Sequence, residues 1–341
     1  MKHANLVQPR HFQIEQVPIP EPAPDEVRIA VKECGVCGSD IHAYVGKHPY
    51  ISCPIVPGHE FSGLVDALGA GVEGFQVGMP VVVEPSLTCG KCEPCLTGRY
   101  NICDHLRVLG CQATGAQAEY ITVPAAKVIP MRPGMSFEQG ALIEPAAVAV
   151  HALRRVAIHK ADRVLIAGAG TIGLLVLQVA RALGISTTIV TDVVEKKLAL
   201  AQQLGATHVV NSRTQSLTDM LRAEFGQASA VDVALECVGA EQTMKQCIEA
   251  TKKGGQIVVV GVFEHDPPVR LSWVQDRELE LLGTLMYMRS DFEKARDLIA
   301  GGQIQGEPLV TRRAPLEDLP QVMEDILADP AANIKSMIHI Q

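Results

Sequence analysis

At 341 residues the chain is long enough for two domains. Its 47% hydrophobic and only 4% aromatic content requires cores built from aliphatic side chains. A net charge of −8, with acids and bases interspersed, argues against nucleic acid or an anionic membrane surface as partner. The opening Met1-Lys2-His3-Ala4-Asn5 does not read as a secretory signal, so the ten cysteines point to a reducing, cytoplasmic setting where thiolates bind metal rather than pair as disulfides.

The first 150 residues read as β-rich. Val27, Ile29 and Val31 alternate with polar or small neighbours, and short apolar runs follow at 61–68, 80–83, 120–123 and 128–130. Proline and glycine punctuate them, at 18–24 and 69–71, which suggests a barrel-like domain with long functional loops. Beyond about residue 150 the texture changes. Strands are expected at 163–167, 186–191, 231–235 and 256–260, with helices at 171–183, 195–204 and 241–252 between them. Such alternation implies βαβ units around a parallel sheet. The apolar stretch 172–183 is too short to cross a bilayer and carries Gln178 and Arg181. Helices at 291–300 and 316–329 and a strand at 336–340 close the chain, and a terminal strand after a parallel-sheet domain suggests a return to the first domain.

Three constellations carry chemistry. Cys89, Cys92, Cys95 and Cys103 fall within fifteen residues, with Gly90, Pro94 and Gly98 allowing tight turns between them. Short Cys-x₂-Cys steps let one loop wrap a tetrahedral zinc. Four thiolates close the site, so it is read as structural. Two disulfides, or four idle thiols, are the alternatives, disfavoured by three thiols at successive intervals of three.

Gly168-Ala169-Gly170-Thr171-Ile172-Gly173 follows a strand and opens a helix, and Asp192 lies 19 residues past Gly173 at the end of the next strand. That context reads as a dinucleotide fingerprint: a tight turn, close approach of a diphosphate to the backbone, and close helix–strand packing. Asp192 would accept bonds from the ribose hydroxyls and repel a 2′-phosphate, and Val193-Val194 supply no arginine, which favours NAD over NADP.

The third is Cys34-Gly35-Val36-Cys37-Gly38-Ser39-Asp40-Ile41-His42 together with Pro57-Gly58-His59-Glu60. Cysteine, histidine and carboxylate are the ligand types of a catalytic zinc. Taken locally, Cys34 and Cys37 also fit a redox pair, and His59 also fits an ordinary satisfied histidine.

In this order, with Leu142-Ile143-Glu144-Pro145 between the cysteine lobe and the glycine fingerprint, the motifs make the chain resemble the zinc-dependent medium-chain dehydrogenases over essentially its whole length. Glu-Pro, where simple alcohol dehydrogenases carry a cysteine ligand, is similar to the polyol branch typified by sorbitol dehydrogenase. The resemblance implies an α/β protein. A GroES-like catalytic domain spans residues 1–150, completed by 286–341, and a Rossmann doubly wound parallel sheet spans 151–285, with the active site in the cleft and domain closure excluding water. It implies zinc at Cys37, His59 and Glu60, with Glu144 on the metal or one water away. Asp40 would orient His59, Ser39 and His42 would relay the proton, and Lys197 would help Gly168, Gly170, Thr171, Ile172, Gly173 and Asp192 hold NAD. Two zinc ions per chain, hydride transfer between NAD and a secondary alcohol of a polyol, sugar acid or related sugar derivative, and a homotetramer or dimer joined near residues 279–285 complete the expectation. Within enzymes the alternative is an amino-alcohol dehydrogenase of the threonine type. Outside them it is an NAD-binding redox sensor, which a complete ligand set disfavours. Cys34, Cys53, Cys111, Cys237 and Cys247 read as core or loop thiols, with Cys111 and Gln112 bordering the pocket.

Overall fold

The computed structural model describes residues 1–341, and the chain separates into two compact units: Met1–Glu144 with Met288–Ala300 and Gly306–Gln341, and Pro145–Tyr287 with Gly301–Gln305. The first unit is organised by one eleven-residue strand, Glu26–Val36. The first half of this strand pairs antiparallel with Tyr120–Pro124, and most of its length pairs with Glu60–Leu68. Its last residues, Glu33 to Val36, take the chain's terminal strand Lys335–His339 on the remaining edge. Val310–Pro315, Pro80–Val83 and Val128–Pro130 extend the same sheet to seven strands. The alternation of Val27, Ile29 and Val31 is realised, all three being fully buried with Val65, Val81, Ile121 and Val123. Each such side chain contributes about 1.5–3 kcal/mol by leaving water.

The second unit is a six-stranded parallel sheet in the order His208–Asn211, Thr187–Asp192, Arg163–Ala167, Val231–Glu236, Thr251–Val259, Glu280–Gly283. Written in chain order this is 3-2-1-4-5-6, the doubly wound dinucleotide-binding order. The order reverses between Arg163–Ala167 and its neighbour Val231–Glu236, and the glycine fingerprint leaves the first of these strands at that reversal. Leu165, Ile189, Val210, Ala234 and Ile257 form the sheet's core.

The differences from the sequence-based expectation have local causes. The helix expected to run to 252 stops at Ala250, where the Thr251 hydroxyl donates to the Cys247 carbonyl at 2.6 Å and the chain turns into strand. The helix expected from 316 begins with a 3₁₀ turn, Leu316–Asp318, and becomes α-helical only at Leu319, with Pro320 in its first turn. The hairpin Lys2–Gln8 and His11–Gln16 went unread because its second strand is largely exposed and carries almost no apolar period. Helix Ile143–Arg154 went unread beneath the Glu-Pro motif at its start. No helix is long and apolar enough to cross a membrane.

Candidate metal centres and dinucleotide site

Strand register assembles the first metal cluster. Gly35, near the end of Glu26–Val36, lies opposite Glu60, the first residue of Glu60–Leu68. Cys37 follows one strand and His59 precedes the other, so pairing the strands brings Cys37, His59 and Glu60 together. Their ligand atoms all lie within 4.8 Å of one another. Cys37 also caps the helix Gly38–Tyr44, and Asp40 reaches back to accept from the Cys37 amide at 2.9 Å. Ser39 and His42, three apart, share one face of that helix.

The cluster is buried and heavily charged. Asp40, His59, Glu60 and Glu144 are each no more than 6% exposed. Asp40 Oδ1 and His59 Nδ1 stand 3.8 Å apart, and neither has a hydrogen-bond partner. Two buried atoms left this way are costly, about 1–3 kcal/mol each. A metal on the other ring nitrogen would fix the tautomer and turn Nδ1–H toward the carboxylate, so the residues fit a metal ligated through His59 with Asp40 behind it. Burial pushes the Asp40 carboxyl up. Burial alone would push His59 down, but Asp40, Cys37 and a hydrogen bond with Cys111 outweigh it and hold the imidazole well above the ordinary 6.5.

Two neighbours, Lys335 and His48, were not foreseen, and a third, Cys111, was expected only at the border of the pocket. Lys335 donates to both Glu60 oxygens, at 2.8 and 2.6 Å. Cys111, read as a core or loop thiol bordering the pocket, reaches His59 itself. His48 sits near enough to His42 and His59 that, after burial, both push it down. The only sequence signal for Lys335 is a lysine inside an otherwise apolar terminal strand. Cys34 is fully buried and its thiol is pushed well up by that burial, which leaves it inert as a redox partner.

Cys89, Cys92, Cys95 and Cys103 converge as the second cluster. Cys103 Sγ lies 3.5 Å from Cys89 Sγ and 3.7 Å from Cys92 Sγ, and all ten cysteines are free. These separations are far beyond a disulfide bond. They approach the edge of a ZnS₄ tetrahedron, about 3.8 Å for a 2.3 Å Zn–S bond. Amides of Cys89, Cys92 and His105 donate to the sulfurs at 3.4 Å, which favours thiolate. Hydrogen bonds from the Lys91 and Cys92 backbone hold Cys89 down at about 6, while burial and its neighbours push Cys95 up to about 12.

In the second unit, Gly168 has φ +107°, and a Cβ at Gly173 would overlap the Gly168 carbonyl oxygen, so both glycines are required by the turn and its packing. Gly170 is different. A Cβ there meets nothing within 4 Å, and the residue caps helix Thr171–Ala182 without any side-chain bond. The open space at the start of the helix fits an approaching diphosphate. Asp192 is fixed by amides of Ala169 (2.7 Å), Val193 (2.7 Å) and Val194 (2.9 Å), which ties the fingerprint loop to the next strand and leaves lone pairs for hydroxyl donors. Lys197 is half-buried in the first turn of helix Glu195–Gln203.

Comparison with known proteins agrees with this geometry. Residues 23–133 match the alcohol dehydrogenase GroES-like domain and residues 171–301 match zinc-binding dehydrogenase. The chain belongs to the zinc-dependent medium-chain dehydrogenase family. It is 33% identical to a sorbitol dehydrogenase of Bacillus subtilis over 99% of this chain and 97% of that one. Galactitol-1-phosphate dehydrogenase from Escherichia coli superposes with a TM-score of 0.92 at 32% identity, covering 99% and 100%. A zinc-binding dehydrogenase from Sinorhizobium meliloti, solved with NADP, gives 0.92 at 32% identity, covering 99% and 98%. The protein is therefore an alcohol-oxidising or carbonyl-reducing enzyme of this family that uses zinc and a nicotinamide dinucleotide on a small-molecule substrate.

Zinc binds neutral imidazole, and here the proton holds His59 more tightly than usual. Zinc uptake at Cys37, His59 and Glu60 by metal-free protein should therefore weaken as pH falls through the raised range of His59. Competition with a chelator across about pH 5–9 measures it, and affinity flat over that range would contradict the assignment of His59 as a ligand.

Proposed function

We propose that this enzyme oxidises a secondary alcohol of a polyol, sugar acid or related sugar derivative with NAD. The observation that carries the reading is the cluster of one thiolate, one imidazole and buried carboxylates, with Glu144 near enough to Lys335 to act on its charge. Cys37 and His59, with Glu60 and Glu144 at or one water from the metal, would hold the catalytic zinc, and Cys89, Cys92, Cys95 and Cys103 the structural one. When bound, the catalytic zinc supplies Lewis acidity that eases ionisation of a substrate hydroxyl. A site with one thiolate and carboxylates gives less thiolate donation than a two-cysteine site, and its carboxylates can accept from the neighbouring hydroxyls of a polyol. The B. subtilis and E. coli relatives are named for sugar-alcohol substrates, which supports the same class.

The chain's own residues then divide the work. Asp40 holds His59 in the ligating tautomer. Ser39 takes the hydroxyl proton and passes it to His42, with His48 as the next imidazole nearby. Gly168, Gly170, Thr171, Ile172 and Gly173 receive the dinucleotide diphosphate. Asp192, with Lys197 beside it, takes the adenosine ribose. The carboxylate of Asp192 disfavours a 2′-phosphate, which supports NAD. The free thiols support a reducing, cytoplasmic setting.

A panel of polyols, sugar acids, sugar-alcohol phosphates, threonine and simple primary alcohols, run with NAD and NADP, tests the reading. Turnover of a polyol-type substrate with higher kcat/KM for NAD is expected, and Asp192→Ala should shift the NAD:NADP ratio toward NADP by about tenfold or more. Turnover of threonine or primary alcohols alone would overturn the substrate class. A wild-type preference for NADP would overturn the argument from Asp192.

We also propose a homo-oligomer, tetramer first and dimer second. The edge strand Glu280–Gly283 has one side unpaired in the sheet, and Leu281 and Leu285 beside it are 37% and 51% exposed. Sedimentation at micromolar concentration should give a species above monomer, and monomer alone would rule the assembly out.

A further inference from the structure

The C-terminal strand delivers a buried cation to the metal cluster from 275 residues away. Lys335 opens strand Lys335–His339, which docks antiparallel on Glu26–Val36 with Ser336 opposite Val36. Lys335 is 3% exposed and Glu60 2%. The ammonium has three hydrogens and three acceptors: Glu60 Oε1 at 2.8 Å, Glu60 Oε2 at 2.6 Å and the Val36 carbonyl at 3.0 Å. On the other side of the carboxylate, a Cβ at Gly35 would overlap Glu60 Oε2, so glycine leaves the room that Glu60 fills. Cys37 and Glu144 also act on the ammonium. Burial opposes its charge, but Glu60 first, then Cys37 and Glu144, hold it above the ordinary lysine range.

A carboxylate gripped through both oxygens by a buried ammonium is already neutralised. Without Lys335, the divalent metal is the strongest cation the cluster can offer in that role. We propose that Lys335 is a positioning residue for the catalytic zinc: it holds Glu60 in place and balances its charge, so that the metal-free site stays folded and the metal is not over-neutralised by its own carboxylates. The inference rests on the reading of Cys37, His59 and Glu60 as the catalytic metal site. Breaking a buried pair from one side leaves the other charge uncompensated, which is far more costly than losing the pair as a unit. That cost falls on the metal-free protein and is relieved by zinc, so removal of Lys335 must couple stability to metal more strongly.

The test uses the full-length protein with both zincs present, with only the Cys₄ zinc after selective chelation, and with Co²⁺ in place of the catalytic zinc. In Lys335→Met, the thermal midpoint should fall much further without the catalytic metal than with it. The catalytic zinc should bind about tenfold tighter or more than in wild type, and the Co²⁺ visible spectrum should change as Glu60, released from Lys335, bonds the metal more strongly. Lys335→Arg should restore all three. Lys335→Met/Glu60→Gln removes both charges together, so the widened gap between metal-bound and metal-free midpoints should close to the wild-type gap or below it, the amide being a poorer ligand than the carboxylate. It carries the test if the single variant does not fold. Equal midpoint losses with and without metal, and unchanged zinc affinity, would make Lys335 a merely structural residue and overturn the inference, as would a double variant with the widened gap. A wild-type protein that holds only the Cys₄ zinc would instead refute the underlying metal-site reading, which keeps the two failures distinct.

Discussion

The first unit is built around a concentration of charge that could not be buried unpaired. Asp40, His59, Glu60, Glu144 and Lys335 are all buried, in a domain whose surrounding side chains are aliphatic. Burying isolated carboxylates costs several kcal/mol each even after relaxation. The fold meets that cost by convergence. Three strands and one short helix end at the same place, so the Glu60–Lys335 pair forms between segments that meet only through the sheet. The remaining imbalance sits in the pair Asp40 and His59, whose facing atoms lack partners at 3.8 Å. Zinc on His59 would resolve it, because it would demand neutral imidazole and turn Nδ1–H toward the carboxylate.

Structural and catalytic cysteines are separated by the same logic. The quartet of Cys89, Cys92, Cys95 and Cys103 lies on a loop with almost no core of its own, where metal–thiolate bonds would replace a hydrophobic interior. Cys37 instead lies at the end of the longest strand and caps a helix, so its position is set by the sheet. A cluster held by the sheet can keep its shape while metal and substrate exchange; a loop wrapped on metal cannot. The second unit repeats the pattern with backbone groups. The Gly168 turn, the open helix start at Gly170 and the three amides on Asp192 form one feature at the point where the strand order reverses.

Much of this was legible in the sequence because it depends on short spacing. The period-two run at Val27, Ile29 and Val31, the cysteine steps of three and the glycines at 168, 170 and 173 all encode local geometry, and each lies where expected. The order of motifs carried the family. What was illegible depends on pairing between distant segments. No local pattern links Lys335 to Glu60 or Cys111 to His59, since both contacts exist only after the terminal strand and the loop beyond the cysteine lobe have docked. The short strand His208–Asn211 and the N-terminal hairpin escaped for a related reason: their strand character comes from their neighbours rather than from their own periodicity.

Anomalous diffraction at the zinc edge on crystals of the full-length protein tests the central claim most directly. The account predicts two zinc peaks per chain, one enclosed by Cys89, Cys92, Cys95 and Cys103, and one bonded to Cys37 and His59 with a carboxylate from Glu60 or Glu144 at the metal or one water away. A single peak within the four cysteines of zinc-replete, active enzyme, with Cys37 and His59 free of metal, would contradict it.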